Sequence, residues 1–334
     1  MRIGLIGAGR IGAVHADTLA QLDSVSALVI ADAEARRAAK LAGDVGARAA
    51  PDVAALFGGP DRVDGVVIAA GTAAHAELIV AAADAGLPVF CEKPIAADVT
   101  GTRAVLDRVA RTGIPLHVGF QRRFDPGYRR LRDAVRGGEL GRLHTLRGCT
   151  CDPAPPPAGY IATSGGLFRD CSVHDFDAIR WITGRPVASV YATGTDGGEP
   201  FFAEAGDVDT AAALLTLEDG ILATVTATRY NGAGYDVRLE ACGSKTTLVA
   251  GLDRHSPLAS ADDSAAGPAG PPYDGFIARF RDAYVAELAA FVEVVAGKRD
   301  SPCTGEEALD ALLVAEAAER SRLLGRPVAI EEVA

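Results

Sequence analysis

A glycine-rich turn near the start of the chain limits the fold more than any other feature of this 334-residue sequence. The apolar run Arg2–Ile6 leads into it, and a helical pattern follows it as far as Leu22. In such a strand–turn–helix unit the first glycine permits a tight turn, the second lets the backbone approach a pyrophosphate, and the third lets the helix pack on the strand. The pattern predicts a dinucleotide site whose contacts include Gly7, Gly9, Arg10, Ile11 and Gly12.

An acidic residue indicates which dinucleotide this site prefers. A second predicted strand, Val25–Ala31, ends at Asp32, about 20 residues after the last glycine, where a carboxylate would bind the ribose hydroxyls. A carboxylate would repel a 2′-phosphate, so the sequence favours NAD. Arg36 and Arg37 leave NADP as an alternative.

Predicted strands and helices then alternate, which is typical of a parallel sheet with helices on both faces. We therefore predict a doubly wound, Rossmann-type NAD-binding domain over residues 1–120. Thr72 and His75 lie in the turn after the strand Val66–Ile68, over the cofactor by topology. The alternative for His75 is a residue near solvent at the start of a helix.

The strand that ends in Val89-Phe90-Cys91-Glu92-Lys93-Pro94 carries the first candidate catalytic group. Pro94 holds Lys93 extended, and a lysine at the carboxyl end of a parallel strand points into the crevice where such folds bind ligands. Glu92 and Lys93 are therefore predicted to lie next to the cofactor. The Lys93–Pro94 bond is predicted to be cis, because the chain must turn back there and cis bonds are practical only before proline.

After residue 120 the pattern changes to long alternating apolar runs, several joined by short turns. They predict a second domain, 121–334, of the α+β class, with a large, mostly antiparallel open sheet. One sheet face would need cover from a partner chain at apolar positions such as Val225 and Leu239. The Ala-, Gly- and Pro-rich segment Asp262–Pro272 is predicted to be a loop.

A glycine pair in this second half, Gly165-Gly166, precedes an acid and a histidine. Asp170 and His174 are four residues apart, so one helical turn places both on the same face. Histidine accepts a proton near neutral pH, and the acid can orient it or bind a substrate hydroxyl. The alternative is a helix cap followed by a core histidine.

Charge and cysteine usage exclude several classes of function. The net charge is −11 with no basic block, which argues against nucleic acid and anionic membranes as partners. The six cysteines are irregularly spaced and indicate reduced thiols in a cytoplasmic protein. Cys149 and Cys151 share one strand face, but no second ligand pair accompanies them, so no metal site is predicted. The start at Met1-Arg2 and the broken apolar runs predict neither a signal peptide nor a membrane span.

Together these motifs resemble the Gfo/Idh/MocA oxidoreductase family, and within it the inositol 2-dehydrogenases. The resemblance rests on the glycine turn, Glu92-Lys93-Pro94, Gly119–Asp125, Ser164–Asp170 with His174, and Gly234-Tyr235-Asp236. The sequence departs from the inositol enzymes at Gln121 and at Cys151, where they often carry Met and Arg. The resemblance implies a homotetramer built as a dimer of dimers.

The implied activity is NAD-dependent oxidation of a secondary ring hydroxyl of a small neutral polyol, with inositol to inosose as the leading case. His174 would be the general base, Lys93 would stabilise the developing alkoxide, and Asp170 would hold a neighbouring hydroxyl. Arg123, Asp152 and Tyr235 are candidate groups for binding further hydroxyls. Two alternatives are a dehydrogenase of another sugar or amino-sugar precursor and an NAD-binding regulator without catalysis.

Overall fold

The computed structural model describes residues 1–262 and 270–334. The chain divides into two compact units: unit 1 comprises Met1–Phe124 and Asp282–Leu309, and unit 2 comprises Asp125–Arg281 and Asp310–Ala334. The segment Asp262–Pro272, predicted to be a loop, lies for the most part outside the described residues.

Strands and helices alternate over residues 1–120, as the sequence predicts, and strands predominate between residues 143 and 250. The strands are β1 (Arg2–Ile6), β2 (Ala27–Ala31), β3 (Arg48–Ala49), β4 (Gly65–Ile68), β5 (Val89–Glu92), β6 (Leu116–Gly119), β7 (Leu143–Cys151), β8 (Val187–Thr195), β9 (Thr210–Leu217), β10 (Leu222–Thr228), β11 (Asp236–Gly243), β12 (Thr247–Ala250) and β13 (Val328–Ala329). The helices are α1 (Arg10–Gln21), α2 (Ala35–Val45), α3 (Ala54–Phe57), α4 (Thr72–Asp84), α5 (Val99–Thr112), α6 (Pro126–Arg136), α7 (Ala158–Ile161), α8 (Val173–Thr183), α9 (Phe201–Glu204), α10 (Phe276–Arg279), α11 (Arg281–Val295) and α12 (Gly305–Leu324).

Unit 1 contains a six-stranded parallel sheet in the order β3-β2-β1-β4-β5-β6. This is the strand order of the Rossmann fold, and the prediction of a doubly wound parallel sheet is confirmed. All of β4 is buried, and so is β1 after its first residue, as expected for strands with helices on both faces. Since all strands run the same way, the segments that follow β1, β2, β4 and β5 meet at one edge of the sheet.

Helix α11 belongs to the core of unit 1, although it lies far along the sequence. Leu288 and Phe291 pack in one buried cluster with Leu5 and Phe90. The predicted domains assign this stretch to residues 121–334, so the compact units and the predicted domains differ here. The apolar stripe of a helix does not by itself identify the sheet against which it packs.

A buried histidine in β6 gives this core a pH dependence. His117 is fully buried against Phe90, Phe124 and Phe291, and neither ring nitrogen has a hydrogen-bond partner in the part of the chain that the structure describes. Burial, with smaller contributions from Arg123 and Arg299, lowers the pKa of His117 from 6.5 to about 3. The unfolded chain therefore binds a proton at this histidine near pH 6.5, whereas the folded chain does not. The free energy of unfolding consequently falls as the pH drops below that value.

We expect His117→Phe to remove this acid sensitivity. The free energy of unfolding lost between pH 7 and pH 5 should shrink by about 2 kcal/mol relative to the parent. Denaturant unfolding at the two pH values measures the difference, with the exposed His144→Phe as the control. An unchanged loss in His117→Phe would mean that this histidine is not held neutral by the fold.

Unit 2 contains a seven-stranded sheet in the order β12-β11-β7-β10-β9-β8-β13. Its strand pairs are antiparallel except for β7 with β10, which is parallel. The predicted α+β class with a large, mostly antiparallel sheet is confirmed.

The two faces of this sheet differ, and one sequence-based expectation about them is wrong. Val225 and Leu239 are 1% and 0% exposed in the single chain, because they lie on the face that helices such as α6 and α8 cover. They need no partner chain. The open face instead exposes other apolar side chains, among them Tyr191, Leu214 and Leu222. Alternation alone could not tell which face the helices would cover.

Among the residues that the structure describes, the longest helix is α12, at twenty residues, and charged residues interrupt its apolar positions. Among the described residues, no helix combines the length and hydropathy needed to cross a bilayer.

Candidate active site

The turn between β1 and α1 has the geometry that its glycines predict. Gly7 has a φ of +106°, a left-handed conformation that favours glycine. A Cβ on Gly12 would lie 2.0 Å from the carbonyl oxygen of Gly7, whereas a Cβ on Gly9 would meet nothing within 4 Å. The helix therefore packs directly on the turn, and the space above Gly9 is open at the N-terminus of α1, where a phosphate is favoured.

Asp32 joins the end of β2 to this turn. Its Oδ2 accepts a hydrogen bond from the backbone N–H of Ala8 at 2.7 Å, and its Oδ1 accepts one from the N–H of Glu34 at 2.8 Å. Each carboxylate oxygen has a second lone pair, so the group can still accept from ribose hydroxyls. The sequence predicts the ribose contact; the bond to Ala8 is a further role that spacing alone does not reveal.

The double change Asp32→Ser with Ala33→Arg should move cofactor preference toward NADP. It removes the charge that repels a 2′-phosphate and supplies a cation that binds one. The ratio of kcat/KM for NADP to that for NAD should rise by about 10- to 100-fold, the value of one or two charged hydrogen bonds. Steady-state kinetics with both cofactors measures it, and Ala33→Arg alone separates the added cation from the lost bond to Ala8. A parent enzyme that already prefers NADP would contradict this role of Asp32.

His75 lies one turn into α4, which begins at Thr72. It is buried, not near solvent, with Nδ1 2.7 Å from the carbonyl oxygen of Pro94 and Nε2 3.0 Å from that of Ala70. It thus connects the loop after β4 with the loop after β5. Contact of Thr72 and His75 with the cofactor stays a prediction.

Lys93 follows the last residue of β5 and is half-buried. The Lys93–Pro94 bond is cis, which confirms that prediction. The side chain of the preceding Glu92 is fixed by a histidine, since its Oε1 lies 2.6 Å from Nε2 of the buried His15. His15 packs against Phe90, and it also orients the carboxylate next to the candidate lysine.

In unit 2, two predicted site residues are joined by an arginine that the sequence did not indicate. Arg229 donates from Nη1 to Oδ2 of Asp152 at 2.9 Å and from Nη2 to Oδ2 of Asp170 at 2.6 Å. Its side chain is 4% exposed. The positions before it on the covered face of β10, Val225 and Ala227, are apolar and buried. A charged residue at the next position of this otherwise apolar strand face is the sequence signal that could have identified Arg229.

Opposing electrostatic effects act within this cluster. Burial works against the charge of Arg229, but Cys171 and the carboxylates of Asp170 and Asp152 outweigh it and raise the pKa of the guanidinium. Burial also raises the pKa of Asp152, although Arg229 acts in the opposite direction. The guanidinium of Arg229 therefore stays protonated between the two carboxylates and holds both in fixed positions.

Two further side chains that sequence reasoning missed shape the surroundings of Asp170. Tyr160 donates its hydroxyl to Oδ1 of Asp170 at 2.9 Å. Oδ1 of Asp207 accepts from the N–H of Leu167 at 2.9 Å and thereby fixes the end of the glycine pair. Gly165 and Gly166 have φ values of +83° and +93°, so both positions require glycine's conformational freedom.

Asp170 and His174 are one turn apart, as predicted, but the turn that holds Asp170 is π-helical over Phe168–Ser172, and α8 begins at Val173. Wider turns of this kind occur often at functional sites. Over residues 171–179 every side chain except His174 is buried. His174 is half-buried and so keeps some exposed surface, which suits a group that must meet a substrate. Asp175 beside it is buried and accepts from the Thr150 hydroxyl at 2.6 Å.

The remaining predicted substrate residues have structural contacts of their own. Arg123 is buried, with Nη1 2.9 Å from Oε2 of Glu307. Tyr235 is buried and forms a β-bridge with Tyr273. Their contact with a substrate stays a prediction.

Known proteins resemble this chain along its whole length. Residues 1–120 match the model of an oxidoreductase family with an NAD-binding Rossmann fold, and residues 128–249 match the GFO/IDH/MocA C-terminal domain. A myo-inositol dehydrogenase of Streptomyces leeuwenhoekii is 41% identical, covering 98% of this chain and 100% of the relative. A myo-inositol 2-dehydrogenase of Thermotoga maritima is 37% identical, covering 100% and 99%.

A solved structure gives the same result for the fold. The scyllo-inositol dehydrogenase of Lactobacillus casei, with bound NAD(H) and scyllo-inositol, superposes with a TM-score of 0.89 at 30% identity, covering 99% of each chain. Sequence and structure therefore agree that this chain belongs to the GFO/IDH/MocA oxidoreductases and binds NAD through its N-terminal Rossmann fold.

Proposed function

We propose that this protein oxidises a secondary ring hydroxyl of a neutral cyclic polyol to a ketone with NAD, and that inositol is its substrate. The observation that carries the proposal is the bridge from Arg229 to Asp152 and Asp170, one helical turn before His174. A polyol has many hydroxyls and no charge, so it needs several oriented acceptors. The bridge supplies carboxylate oxygens that are held in place before the substrate arrives.

The proposed chemistry divides between three residues. NAD supplies the hydride acceptor. His174 takes the hydroxyl proton as general base, and the cationic Lys93 stabilises negative charge that develops on the same oxygen. Asp170, held by Arg229 and Tyr160, accepts a hydrogen bond from a neighbouring hydroxyl and orients the ring.

Substrate recognition is assigned to residues outside this trio. Asp152 offers a carboxylate, Arg123 a guanidinium and Tyr235 a phenol, which together can bind hydroxyls as donors or acceptors. Relatives named for myo-inositol and for scyllo-inositol support a cyclic polyol as the substrate class.

A substrate screen tests the proposal. Myo-, scyllo- and D-chiro-inositol and common hexoses are offered with NAD and with NADP, and cofactor reduction is measured. The expected result is the highest kcat/KM with NAD and an inositol. Preference for an aldose would replace the substrate with a sugar. If no polyol or sugar is turned over while NAD binds, the protein is a non-catalytic NAD-binding regulator.

We also propose that the protein is a cytoplasmic homotetramer. The apolar side chains on the open face of unit 2, Tyr191, Leu214 and Leu222, support association through that face. All six cysteines are free thiols, as suits a reducing compartment. Sedimentation at micromolar concentration tests the assembly, and a stable monomer would contradict it.

A further inference from the structure

The open face of the sheet in unit 2 carries two thiols and a carboxylate side by side. Cys149 and Cys151 lie on β7, and the register of β11 places Arg238 opposite Cys149 and Asp236 opposite Cys151. The two sulfur atoms and a carboxylate oxygen of Asp236 all lie within 4.8 Å of one another. None of these residues has a role in the proposed oxidation.

Strand geometry argues against a disulfide between the two thiols. Residues i and i+2 of an extended strand are about 6.6 Å apart along the strand, whereas the Cβ atoms of a disulfide are about 3.8 Å apart. The two sulfur atoms lie within 4.8 Å of each other, and both cysteines are free. A metal ion with two sulfur bonds of about 2.3 Å each spans a longer gap than one sulfur–sulfur bond.

The charges in the cluster favour a divalent cation. Two thiolates and one carboxylate carry three negative charges, and Arg238, with Nε 2.8 Å from Oδ1 of Asp236, contributes one positive charge. A divalent ion makes the sum zero. Arg238 also fixes the orientation of the carboxylate, the role that neighbouring groups have around metal ligands. Asp236 itself is buried, and each of its carboxylate oxygens accepts one hydrogen bond from Arg238.

We propose that Cys149, Cys151 and Asp236 bind one thiophilic divalent cation of the Zn²⁺ type. Thiolate and carboxylate ligands are both common for this ion, and three protein ligands leave a fourth position for water. The thiol protons leave to solvent when the ion binds. The sequence predicts no metal here because the third ligand comes from another strand, 85 positions beyond Cys151.

Cadmium is a suitable probe, because its bonds to thiolates absorb in the ultraviolet. The reduced full-length protein should bind one equivalent of Cd²⁺ per chain with this absorption, and Zn²⁺ should displace it. Cys149→Ser and Cys151→Ser should each weaken Cd²⁺ binding by about 100-fold or more, and Arg238→Gln by about 10-fold. Circular dichroism establishes that each variant is folded, and either serine variant is sufficient if the other does not fold.

Cys242→Ser is the matched control. Cys242 lies on the same face of β11, opposite Thr145, about 13 Å along the sheet from Cys149, and its loss should leave the absorption and the affinity unchanged. Three results would overturn the proposal: no absorption at millimolar Cd²⁺, binding that depends on Cys242 instead, or a mass spectrum with a Cys149–Cys151 disulfide in the protein purified under reducing conditions. None of these results depends on the proposed dehydrogenase activity.

Discussion

Replacing His174 with alanine should lower turnover of the best cyclic polyol by about a hundredfold or more, the usual cost of a lost acid–base group. The half-buried imidazole is the one side chain of residues 171–179 that is not fully buried, and the change removes it as the reactive group. Lys93→Ala should cause a comparable loss, since it removes the cation that stabilises the developing alkoxide. Steady-state kinetics with saturating NAD measures both.

Three further measurements separate catalysis from folding. His174→Ala should bind NAD as the parent does, because it changes none of the predicted cofactor contacts. The double variant should lose far less than the product of the single losses, as is usual for groups that act together. His174→Ala should also lose the decline in turnover at acid pH that protonation of the base causes.

The control is the exposed His144→Ala, which should keep full turnover. Near-normal turnover of His174→Ala would identify His174 as a structural residue and assign the proton to another group.

Replacing Arg229 with methionine should have the largest effect on stability. The change leaves Asp152 and Asp170 without the guanidinium that bridges them, and removing one partner of a buried ion pair costs about 3–5 kcal/mol. The free energy of unfolding at pH 7 should fall by about that amount, and polyol turnover should fall with it because Asp170 loses its orientation. Denaturant unfolding and steady-state kinetics measure the two effects.

Two comparisons identify the cause of the Arg229 effect. Arg147→Met removes an arginine that pairs with Glu240 on the exposed face, and a surface pair contributes only about 0–1 kcal/mol. Adding Asp152→Asn to Arg229→Met removes one of the two like charges and should restore part of the stability. If Arg229→Met is as stable as Arg147→Met, the bridge does not hold the two carboxylates in solution.

The fold was largely predictable because its signals are local. The glycine turn, the acid at Asp32 and the alternating runs each depend on residues close in sequence, and each feature lies where the pattern indicates. The sheet face that helices cover is a tertiary property, and the expectation for Val225 and Leu239 was wrong for that reason.

The candidate sites were predictable only in part, for the same physical reason. Asp170 and His174 follow from helical spacing, whereas Arg229 reaches Asp170 from 59 residues away. Asp236 joins Cys149 and Cys151 through pairing between strands. Short-range periodicity carries no information on which strands become neighbours, and this is where the sequence stops being sufficient.

The position of helix α11 in the core of unit 1 has a consequence for synthesis of the protein. The ribosome completes all six strands of the NAD-binding sheet long before it makes Leu288 and Phe291, at about 5–20 residues per second. During that interval the nascent chain exposes the apolar surface around Phe90 that these side chains later cover. A fragment that ends at residue 120 would keep this surface exposed permanently. We therefore expect that transplanting the nucleotide-binding module into another enzyme succeeds only if the module is carried together with α11.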